Sequence, residues 1–394
     1  GGLGNDTFIG KVAGSDFIDG GAGSNKVDYS SLTQANSITV NLGTTTTFND
    51  ENSVSQTVYQ IGINGGDSDY VKDIAIFEGS AGNDIFTVTN GTYEFIGGSG
   101  DDTFNGTNFT GVVINGSNHT IDSSGTQGAI NAYATKGDTV DYSNVADRIV
   151  VTLEAGSDPT TVRVGGDTTN HTIRNIENIS GSGVDDTITG NSSNNTILGG
   201  AGDDTIDGGG GADYLDGGTH TNGDTVSFAS VVGVNGISVN IGSSNVTIDS
   251  TTYNANRAIR DGQTSTVENF ENIQGSQNSD ILIGSDIANV IRGGDGADTI
   301  YGGRGSNFLY GDAGADKFIM GGFFDGTTTD YAYVNKVDGG AGADILDYSK
   351  VTTGAISVTL DGEVEVKVTI YSDNERATLI DNTYDNIKNI RNVV

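Results

Sequence analysis

Apolar and polar positions recur along this chain with a period of nine residues, most regularly between 275 and 319. Five successive blocks open with Gly and carry Asp or Asn at the sixth place: GSQNSDILI, GSDIANVIR, GGDGADTIY, GGRGSNFLY and GDAGADKFI. The eighth place is apolar in each block, as Leu282, Ile291, Ile300, Leu309 and Phe318. One inward residue in nine predicts a short strand after each turn and does not fit a helix.

The first six residues of each block are rich in Gly, Asn and Asp, which tolerate positive φ and favour turns. The last three residues then form the strand. A coil of turn, strand, turn and strand takes two blocks, or eighteen residues, so alternate blocks stack on the same side. Asp280, Asp298 and Asp316 follow that spacing on one side, whereas Asn289 and Asn307 hold the same place on the other.

Stacking brings the carboxylate of Asp280 close to that of Asp298, and Asp298 close to Asp316, with backbone carbonyl groups around each pair. Two close carboxylates repel each other unless a cation lies between them. A flexible site of oxygen ligands, without His or Cys, favours Ca²⁺ over Zn²⁺ or copper. The pattern therefore predicts calcium sites in the turns.

These blocks resemble the G-G-x-G-x-D-x-U-x nonapeptides of the RTX (repeats-in-toxin) family. The resemblance implies an all-β fold, a right-handed parallel β-roll or β-solenoid with Ca²⁺ in its turns. It also implies a secreted protein, extracellular or on a bacterial cell surface, exported by a type I secretion system.

The register extends to blocks elsewhere in the chain. Asp84 and Asp102 are eighteen residues apart, as are Asp186 and Asp204, and Asn195 and Asp213 take the other side. We predict that calcium is bound by sixth-place aspartates and by turn glycines: Asp6, Asp84, Asp102, Asp186, Asp204, Asp213, Asp280, Asp298, Asp316, Asp344, Gly199, Gly200, Gly202, Gly208, Gly209, Gly293, Gly294 and Gly296. Asn offers a neutral oxygen that does not offset the charge of the ion, so the aspartate sides should fill first.

Two other kinds of segment recur between the blocks. The first starts with DYS or a related sequence at Asp28, Asp141, Ser227 and Asp347, and its alternating apolar residues predict a strand with one buried face. A variable insertion rich in Thr and Asn follows. The second, NIENI-like segment closes each insertion, as in TIRNIENISGS, TVENFENIQGS and DNIKNIRNVV, with a divergent copy YVKDIAIFEGS. Its apolar spacing of three would suit a helical turn, but its Asn and β-branched residues favour a strand or a corner of the coil.

We therefore expect one continuous solenoid fragment over 1–394, cut from a longer protein. Its nonapeptide blocks would cover about 1–27, 79–114, 181–226 and 275–347. The DYS, insertion and NIENI segments would cover about 28–78, 137–180, 224–274 and 345–394, with irregular loops tolerated on one face. Residues 106–133 lack an acid at the sixth place and should hold no good ion site, and 321–336 interrupt the last block.

Charge and composition narrow the class of partner. The chain has 52 acidic and 18 basic residues, a formal charge of −34, no Cys and 62 Gly. Binding to nucleic acid and direct insertion into a membrane are not expected of such a chain. Calcium would replace disulfides as the cross-link, and without it self-repulsion and the ordering entropy of so much Gly should leave the chain largely disordered.

Catalysis is not expected, because His119, His171 and His220 lie in unrelated polar turns and no catalytic motif occurs. The leading hypothesis is a structural protein, the body of a surface layer or an adhesin. It would associate with itself on the cell surface, with cell-surface polysaccharide as a second candidate partner. The alternative is a calcium-triggered secretion and folding module of an exported toxin or enzyme. A carbohydrate- or ice-binding repeat is a minor third hypothesis, because its Thr ladder is interrupted.

Overall fold

The computed structural model describes residues 1–49, 53–89, 91–109, 111–117, 137–154, 158–165, 169–231, 235–320, 335–349, 355–357, 366–371 and 379–394. At 117, 169, 355–357, 366–371 and 379–386 only the backbone is described. The chain divides into two compact units, Gly1–Gly202 and Asp203–Val394. His119, most of 106–133, most of 321–336, and Val358 and Leu360 of the last DYS segment lie outside the described residues.

Short strands make up the first unit. They are β1 (Thr7–Ile9), β2 (Phe17–Asp19), β3 (Lys26–Asp28), β4 (Ile38–Asn41), β5 (Thr46–Asn49), β6 (Ser55–Ile63), β7 (Asp69–Lys72), β8 (Ile76–Glu78), β9 (Ile85–Val88), β10 (Glu94–Gly98), β11 (Thr103–Gly106), β12 (Val113–Ser117), β13 (Thr139–Asp141), β14 (Ile149–Thr152), β15 (Thr160–Val164), β16 (Thr169–Arg174), β17 (Asn178–Ser180), β18 (Thr187–Thr189) and β19 (Thr196–Ala201).

The second unit is built in the same way. Its strands are β20 (Thr205–Asp207), β21 (Tyr214–Thr219), β22 (Thr225–Ser227), β23 (Ser238–Asn240), β24 (Val246–Ile248), β25 (Thr251–Tyr253), β26 (Arg257–Arg260), β27 (Gln263–Glu268), β28 (Asn272–Gln274), β29 (Ile281–Ile283), β30 (Val290–Asp295), β31 (Thr299–Tyr301), β32 (Phe308–Ala313), β33 (Lys317–Ile319), β34 (Lys336–Asp338), β35 (Ile345–Asp347), β36 (Ala355–Ser357), β37 (Val366–Tyr371), β38 (Leu379–Lys388) and β39 (Asn392–Val393). None of the described residues forms a helix of the length and apolarity needed to cross a membrane.

Parallel pairing between alternate blocks confirms the predicted coil. In the second unit β29, β31, β33 and β35 pair in parallel, which aligns Leu282, Ile300, Phe318 and Leu346. On the other side β28, β30, β32 and β34 do the same through Ile273, Ile291, Leu309 and Val337. The fold of the repeats is thus an all-β, parallel β-roll, as predicted.

The eighth-place residues form the core, because only the middle residue of each three-residue strand points inward. The five eighth-place residues of the blocks between 275 and 319 are each no more than 1% exposed. In the first unit Phe86, Phe95 and Phe104 are each 1% exposed, and the Phe86 and Phe104 rings stack with centroids 5.0 Å apart. Phe8, at the start of the chain, is only half-buried.

The insertions contain regular structure that the sequence pattern did not reveal. Each DYS strand pairs antiparallel with an added strand, which pairs antiparallel with the strand that opens the NIENI segment. The four sets are β4–β6–β7, β14–β15–β16, β23–β26–β27 and β36–β37–β38. One added strand, antiparallel to both the DYS strand and the first NIENI strand, is therefore common to all four insertions.

Each NIENI segment forms two strands joined by a corner, so the strand hypothesis is correct and the helical-turn hypothesis is wrong. In the third copy β27 ends, Asn269 turns the chain, and β28 follows. The corner residue has positive φ in every copy, a conformation that Asn and Asp tolerate better than other non-glycine residues. The four corner residues are Asp73, Asn175, Asn269 and Asn389, with φ between 51° and 56°.

Candidate calcium sites

Stacked coils place the acidic residues in ladders held by backbone hydrogen bonds. In the ladder of Asp280, Asp298, Asp316 and Asp344, each backbone N–H donates to Oδ1 of the aspartate in the next coil. The three distances are 2.8, 2.9 and 2.9 Å. We call this set the third carboxylate ladder. The spacing of eighteen residues predicted the first two steps, whereas the step to Asp344 spans 28 residues across the interruption.

The first unit contains a ladder of the same kind, the first carboxylate ladder. The Asp84 N–H donates to Asp102 Oδ1 and the Asp102 N–H donates to Asp138 Oδ1, both at 2.8 Å. The Asp138 N–H then donates to Glu177 Oε2 at 2.9 Å. Asp138 and Glu177 were not among the predicted ligands, because insertions put them 36 and 39 residues from their neighbours.

In the second unit, the second carboxylate ladder comprises Asp204, Asp224 and Glu271. The Asp204 N–H donates to Asp224 Oδ1 at 2.8 Å and the Asp224 N–H donates to Glu271 Oε2 at 2.9 Å. In the first and second ladders alike, the final acid is the Glu of a NIENI segment. Position within that segment is the signal that would have found Glu177 and Glu271.

Six ladder aspartates keep one carboxylate oxygen that is buried and accepts no hydrogen bond. The oxygen is Oδ2 in each case: Asp102, Asp138, Asp224, Asp298, Asp316 and Asp344. An ionised carboxylate withdrawn from water in this way is costly unless it is paired or coordinates a metal. Six buried carboxylate oxygens without a donor are therefore suited to bind a cation.

Each of the six oxygens faces a backbone carbonyl across the space beside a glycine. A Cβ atom placed on Gly293 would overlap Asp298 Oδ2 and would lie 2.7 Å from the Gly311 carbonyl oxygen. A Cβ on Gly311 would overlap Asp316 Oδ2 and lie 2.5 Å from the Gly339 carbonyl oxygen. We call each such space a cradle. The six cradles lie beside Gly97, Gly116, Gly217, Gly293, Gly311 and Gly339.

Corner residues of the NIENI segments supply the carbonyl in three cradles. The Asn175 carbonyl oxygen faces Asp138 beside Gly116, the Asn269 carbonyl faces Asp224 beside Gly217, and the Asn389 carbonyl faces Asp344 beside Gly339. Positive φ at the corner turns this carbonyl toward the aspartate. The sequence reasoning missed these facing carbonyls. Their sequence signal is the first Asn of the motifs N-I-E-N, N-F-E-N and N-I-R-N.

Burial raises the pKa of the ladder aspartates, which is a further sign that their charge is not balanced by protein groups. Desolvation is the main cause, and neighbouring acids add to it. The pKa is raised to about 8 at Asp102 and Asp298, to about 9 at Asp138 and to about 6 at Asp316. Burial also raises the pKa of Asp224 and Asp344.

The cradles fit Ca²⁺. A carboxylate oxygen and backbone carbonyl oxygens are the donors that this ion prefers, and glycine leaves the space that a side chain would fill. A family model for the RTX calcium-binding nonapeptide repeat matches four stretches of the chain, 1–31, 177–219, 283–318 and 331–349. The chain carries RTX calcium-binding repeats. No curated protein matched it.

The RTX repeats of this chain are calcium-binding, and the geometry extends beyond the matched stretches. Asp298 and Asp316 lie inside the match at 283–318, whereas Asp102 and Asp138 lie outside all four matches. The same unpartnered oxygen and the same facing carbonyl occur in both places. The prediction of Ca²⁺ as cofactor is confirmed, and the ligand role of individual residues stays a prediction.

Three predicted ligands lie in a different environment from the rest. Asp84, Asp186 and Asp280 belong to blocks that begin Gly-Ser, and in each the Ser N–H donates to Oδ2 at 2.6 Å. The Ser hydroxyl donates to Oδ1 at 2.7 to 2.9 Å. A backbone N–H of Ile38, Ile149 or Ile237 also donates to Oδ1. These carboxylates have protein donors on both oxygens, and their role as calcium ligands stays a prediction.

Other predicted aspartates take intermediate positions. Asp6 is half-buried, its Oδ2 accepts from the Gly2 N–H at 2.9 Å, and a Cβ on Gly1 would overlap it. Asp213 contacts Ser265, whose hydroxyl lies 3.4 Å from Oδ2. Asp204 is buried at the start of the second ladder.

The predicted turn glycines divide into two groups. Gly199 and Gly293 direct their carbonyl oxygens at the glycine and aspartate of the neighbouring coil, and Gly208 lies beside Asp213. At Gly294 and Gly296, φ is 105° and 112°, so a side chain would be strained there. The remaining predicted glycines, Gly200, Gly202 and Gly209, also have positive φ.

Proposed function

We propose that this chain is a calcium-dependent extracellular structural protein. It folds on Ca²⁺ after type I secretion and serves as the body of a surface layer or an adhesin. The observation that carries the proposal is the set of six cradles, in which a buried carboxylate oxygen without a hydrogen-bond donor faces a backbone carbonyl. Such oxygens oppose folding until a cation joins them, so calcium binding and folding are one equilibrium.

The cellular setting follows from this coupling. Extracellular calcium modules bind at roughly 10⁻⁴ to 10⁻³ M, far above the calcium level of a cytosol. With a formal charge of −34, the chain would remain expanded inside the cell and could pass a secretion channel unfolded. It would fold where calcium is abundant, at the cell surface.

A structural role is favoured over a secretion module because the RTX blocks alternate with hairpin insertions. Four times the coil is extended by an antiparallel strand, which adds sheet surface to the roll. A module that serves only secretion and folding has no need of these additions. The proposal assigns no enzymatic activity: His171 lies buried against the Tyr142 hydroxyl at 2.7 Å, an arrangement that packing explains.

The test is the solution mass and shape of the protein while Ca²⁺ is titrated from chelator to several millimolar, followed by light scattering and small-angle X-ray scattering. We expect compaction and then assembly into large ordered species, with Mg²⁺ as a matched control that produces neither. Compaction without assembly would refute self-association and favour the secretion and folding module. A fold that is as stable in chelator as in millimolar Ca²⁺ at neutral pH would refute calcium-dependent folding itself. Adding cell-surface polysaccharide to the compact form tests the second partner.

A further inference from the structure

A histidine lies beside two acidic residues at the end of the second carboxylate ladder. His220 Nδ1 lies 3.0 Å from Glu271 Oε2 and 3.6 Å from Asp224 Oδ2. One donor atom from each residue lies within 4.8 Å of the others, and this is the one group of three such side chains found among the described residues. An imidazole nitrogen and two carboxylate oxygens thus converge on one small space.

Asp224 gives an independent indication that the space holds a ligand. Its side chain is 0% exposed, and its Oδ2, which faces the imidazole, accepts no hydrogen bond. The other oxygen is occupied, because Oδ1 accepts the Asp204 N–H at 2.8 Å. A fully buried carboxylate with one oxygen left open toward a histidine is suited to a bound cation.

The folded coil brings the three residues together. β22 and β28 pair in parallel with Thr225 opposite Asn272, so the residues immediately before them, Asp224 and Glu271, occupy equivalent places in adjacent coils. The hydrogen bond from the Asp224 N–H to Glu271 Oε2 fixes the glutamate. His220 lies four residues before Asp224, in the turn after β21, and its side chain is 31% exposed.

We propose that His220, Asp224 and Glu271 form a second kind of metal site, which takes Zn²⁺ in preference to Ca²⁺. Of the six cradles, the one beside Gly217 would then bind Zn²⁺ through Asp224, and the other five would bind Ca²⁺. Imidazole nitrogen is a ligand for zinc and similar transition ions, whereas Ca²⁺ takes oxygen ligands. One nitrogen and two carboxylates make three protein ligands, and the partly exposed imidazole leaves the fourth position open to water or to a ligand from another molecule.

The chain contains a second pair of carboxylates with the same arrangement but without a histidine at the equivalent sequence position. Asp138 and Glu177 repeat the arrangement of Asp224 and Glu271, with the same N–H to Oε2 hydrogen bond at 2.9 Å. The residue four places before Asp138 is Ala134 in the sequence, where the second unit has His220. The carboxylate pair with histidine should therefore bind Zn²⁺, and the pair without it should not.

The experiment is calorimetric titration of Zn²⁺ into the full chain saturated with several millimolar Ca²⁺. We expect a single tight Zn²⁺ site in the unmodified chain. His220→Ala should weaken it by at least about a hundredfold, since even an outer-shell partner of a metal ligand is worth about 10- to 100-fold. His119→Ala is the matched control and should leave Zn²⁺ binding unchanged. Calcium-induced compaction should be identical in all three proteins, which shows that the variants fold.

Two results would overturn the proposal. One is Zn²⁺ binding by His220→Ala with unchanged affinity, which would place the ion elsewhere. The other is complete loss of Zn²⁺ binding in saturating Ca²⁺. That result would show that Asp224 binds calcium in the cradle beside Gly217 and that His220 only pairs with the carboxylates. Neither result bears on calcium-dependent folding, which the compaction measurement reports separately.

Discussion

The two sides of the coil in the second unit have the same pattern of backbone hydrogen bonds but different side chains, Asp on one side and Asn on the other. On one side the third carboxylate ladder joins Asp298 to Asp316. On the other side the Asn289 N–H donates to Asn307 Oδ1 at 2.9 Å, and the Asn307 N–H donates to Asn335 Oδ1 at 3.1 Å. The Oδ1 atoms of Asp and Asn have the same role, so the backbone alone does not distinguish the two ladders.

The difference lies in the second atom of each side chain. Asp298 Oδ2 accepts no hydrogen bond, whereas Asn289 Nδ2 donates to the Glu271 carbonyl at 2.7 Å. Asn307 Nδ2 donates to the Gly305 carbonyl at 3.2 Å. A Cβ on Gly302 would lie 2.8 Å from Asn307 Nδ2, the place where Gly293 has a carboxylate oxygen.

The side-chain NH₂ group of Asn thus donates a hydrogen bond to a backbone carbonyl. The corresponding oxygen of Asp is negatively charged, so it needs a cation at this place. The Asn side is complete without Ca²⁺, and the Asp side is not. This comparison gives a physical basis for the expectation that aspartate sides bind calcium more tightly. It also explains how the coil can hold a mixture of ion-dependent and ion-independent turns.

The largest expected effect is that of pH on the calcium-free fold. The folded-state pKa of Asp102, Asp138 and Asp298 is about 8, 9 and 8, against an ordinary value of 3.8. Between these values the folded chain holds more protons than the unfolded chain, so stability in chelator must fall as pH rises from about 4 to 9. Melting temperatures from circular dichroism, with and without Ca²⁺, should differ least near the acidic end and most above about pH 8.

The Asp298→Asn variant should show a shallower pH dependence in chelator, which separates this carboxylate from general charge repulsion. A melting temperature in chelator that increases with pH over the same window would contradict the assignment of the cradles.

Replacing Asp298 with Asn, or Asn307 with Asp, should exchange the calcium dependence of the two ladders. Asp298→Asn gives the amide a carbonyl to donate to, so the calcium-free fold should gain about 1–3 kcal/mol, the cost of an unsatisfied buried acceptor. Its response to Ca²⁺ should decrease. Asn307→Asp should do the opposite, losing a similar amount in chelator and gaining a calcium response. Chemical denaturation at fixed Ca²⁺ levels measures both, and equal effects of the two substitutions would contradict the comparison.

A side chain placed in a cradle should abolish calcium binding there and leave the backbone hydrogen bonds of the ladder in place. The Cβ of Gly293→Ala would overlap the Asp298 carboxylate, so we expect a loss of about 1–3 kcal/mol from overpacking and one fewer bound Ca²⁺. Gly183→Ala is the matched control, because its Cβ would meet no atom within 4 Å. That substitution should be neutral or stabilise by about 0.4–1 kcal/mol. Equilibrium dialysis against calcium gives the count.

The smallest effect is expected at the serine-bearing blocks. Ser276→Ala removes the hydroxyl that donates to Asp280 Oδ1 at 2.7 Å and should cost about 0.5–1.5 kcal/mol. The number of bound Ca²⁺ should not change, because Asp280 keeps the N–H donors of Ser276 and Ile237. A lower calcium count in this variant would show that Asp280 is itself a ligand.

Local pattern alone determined the period of nine, the short strands and the inward row from Leu282 to Phe318. It also determined the pairing of Asp280 with Asp298 and of Asp84 with Asp102, since these residues lie two blocks apart and one coil is two blocks long. A repeat carries its own register, so neighbours in space are neighbours in the pattern.

Only the tertiary structure decided which acids join the ladders across insertions and which of them lack a partner. Asp138, Asp224 and Glu271 reach their ladders over 20 to 47 residues, a spacing that no period predicts. Asp280 and Asp298 occupy the same place in their blocks, yet only Asp280 has donors on both oxygens, from Ser276 and Ile237. That difference depends on what the adjacent coil and the inserted strands bring into contact, because a hydrogen bond is satisfied in space and not along the sequence.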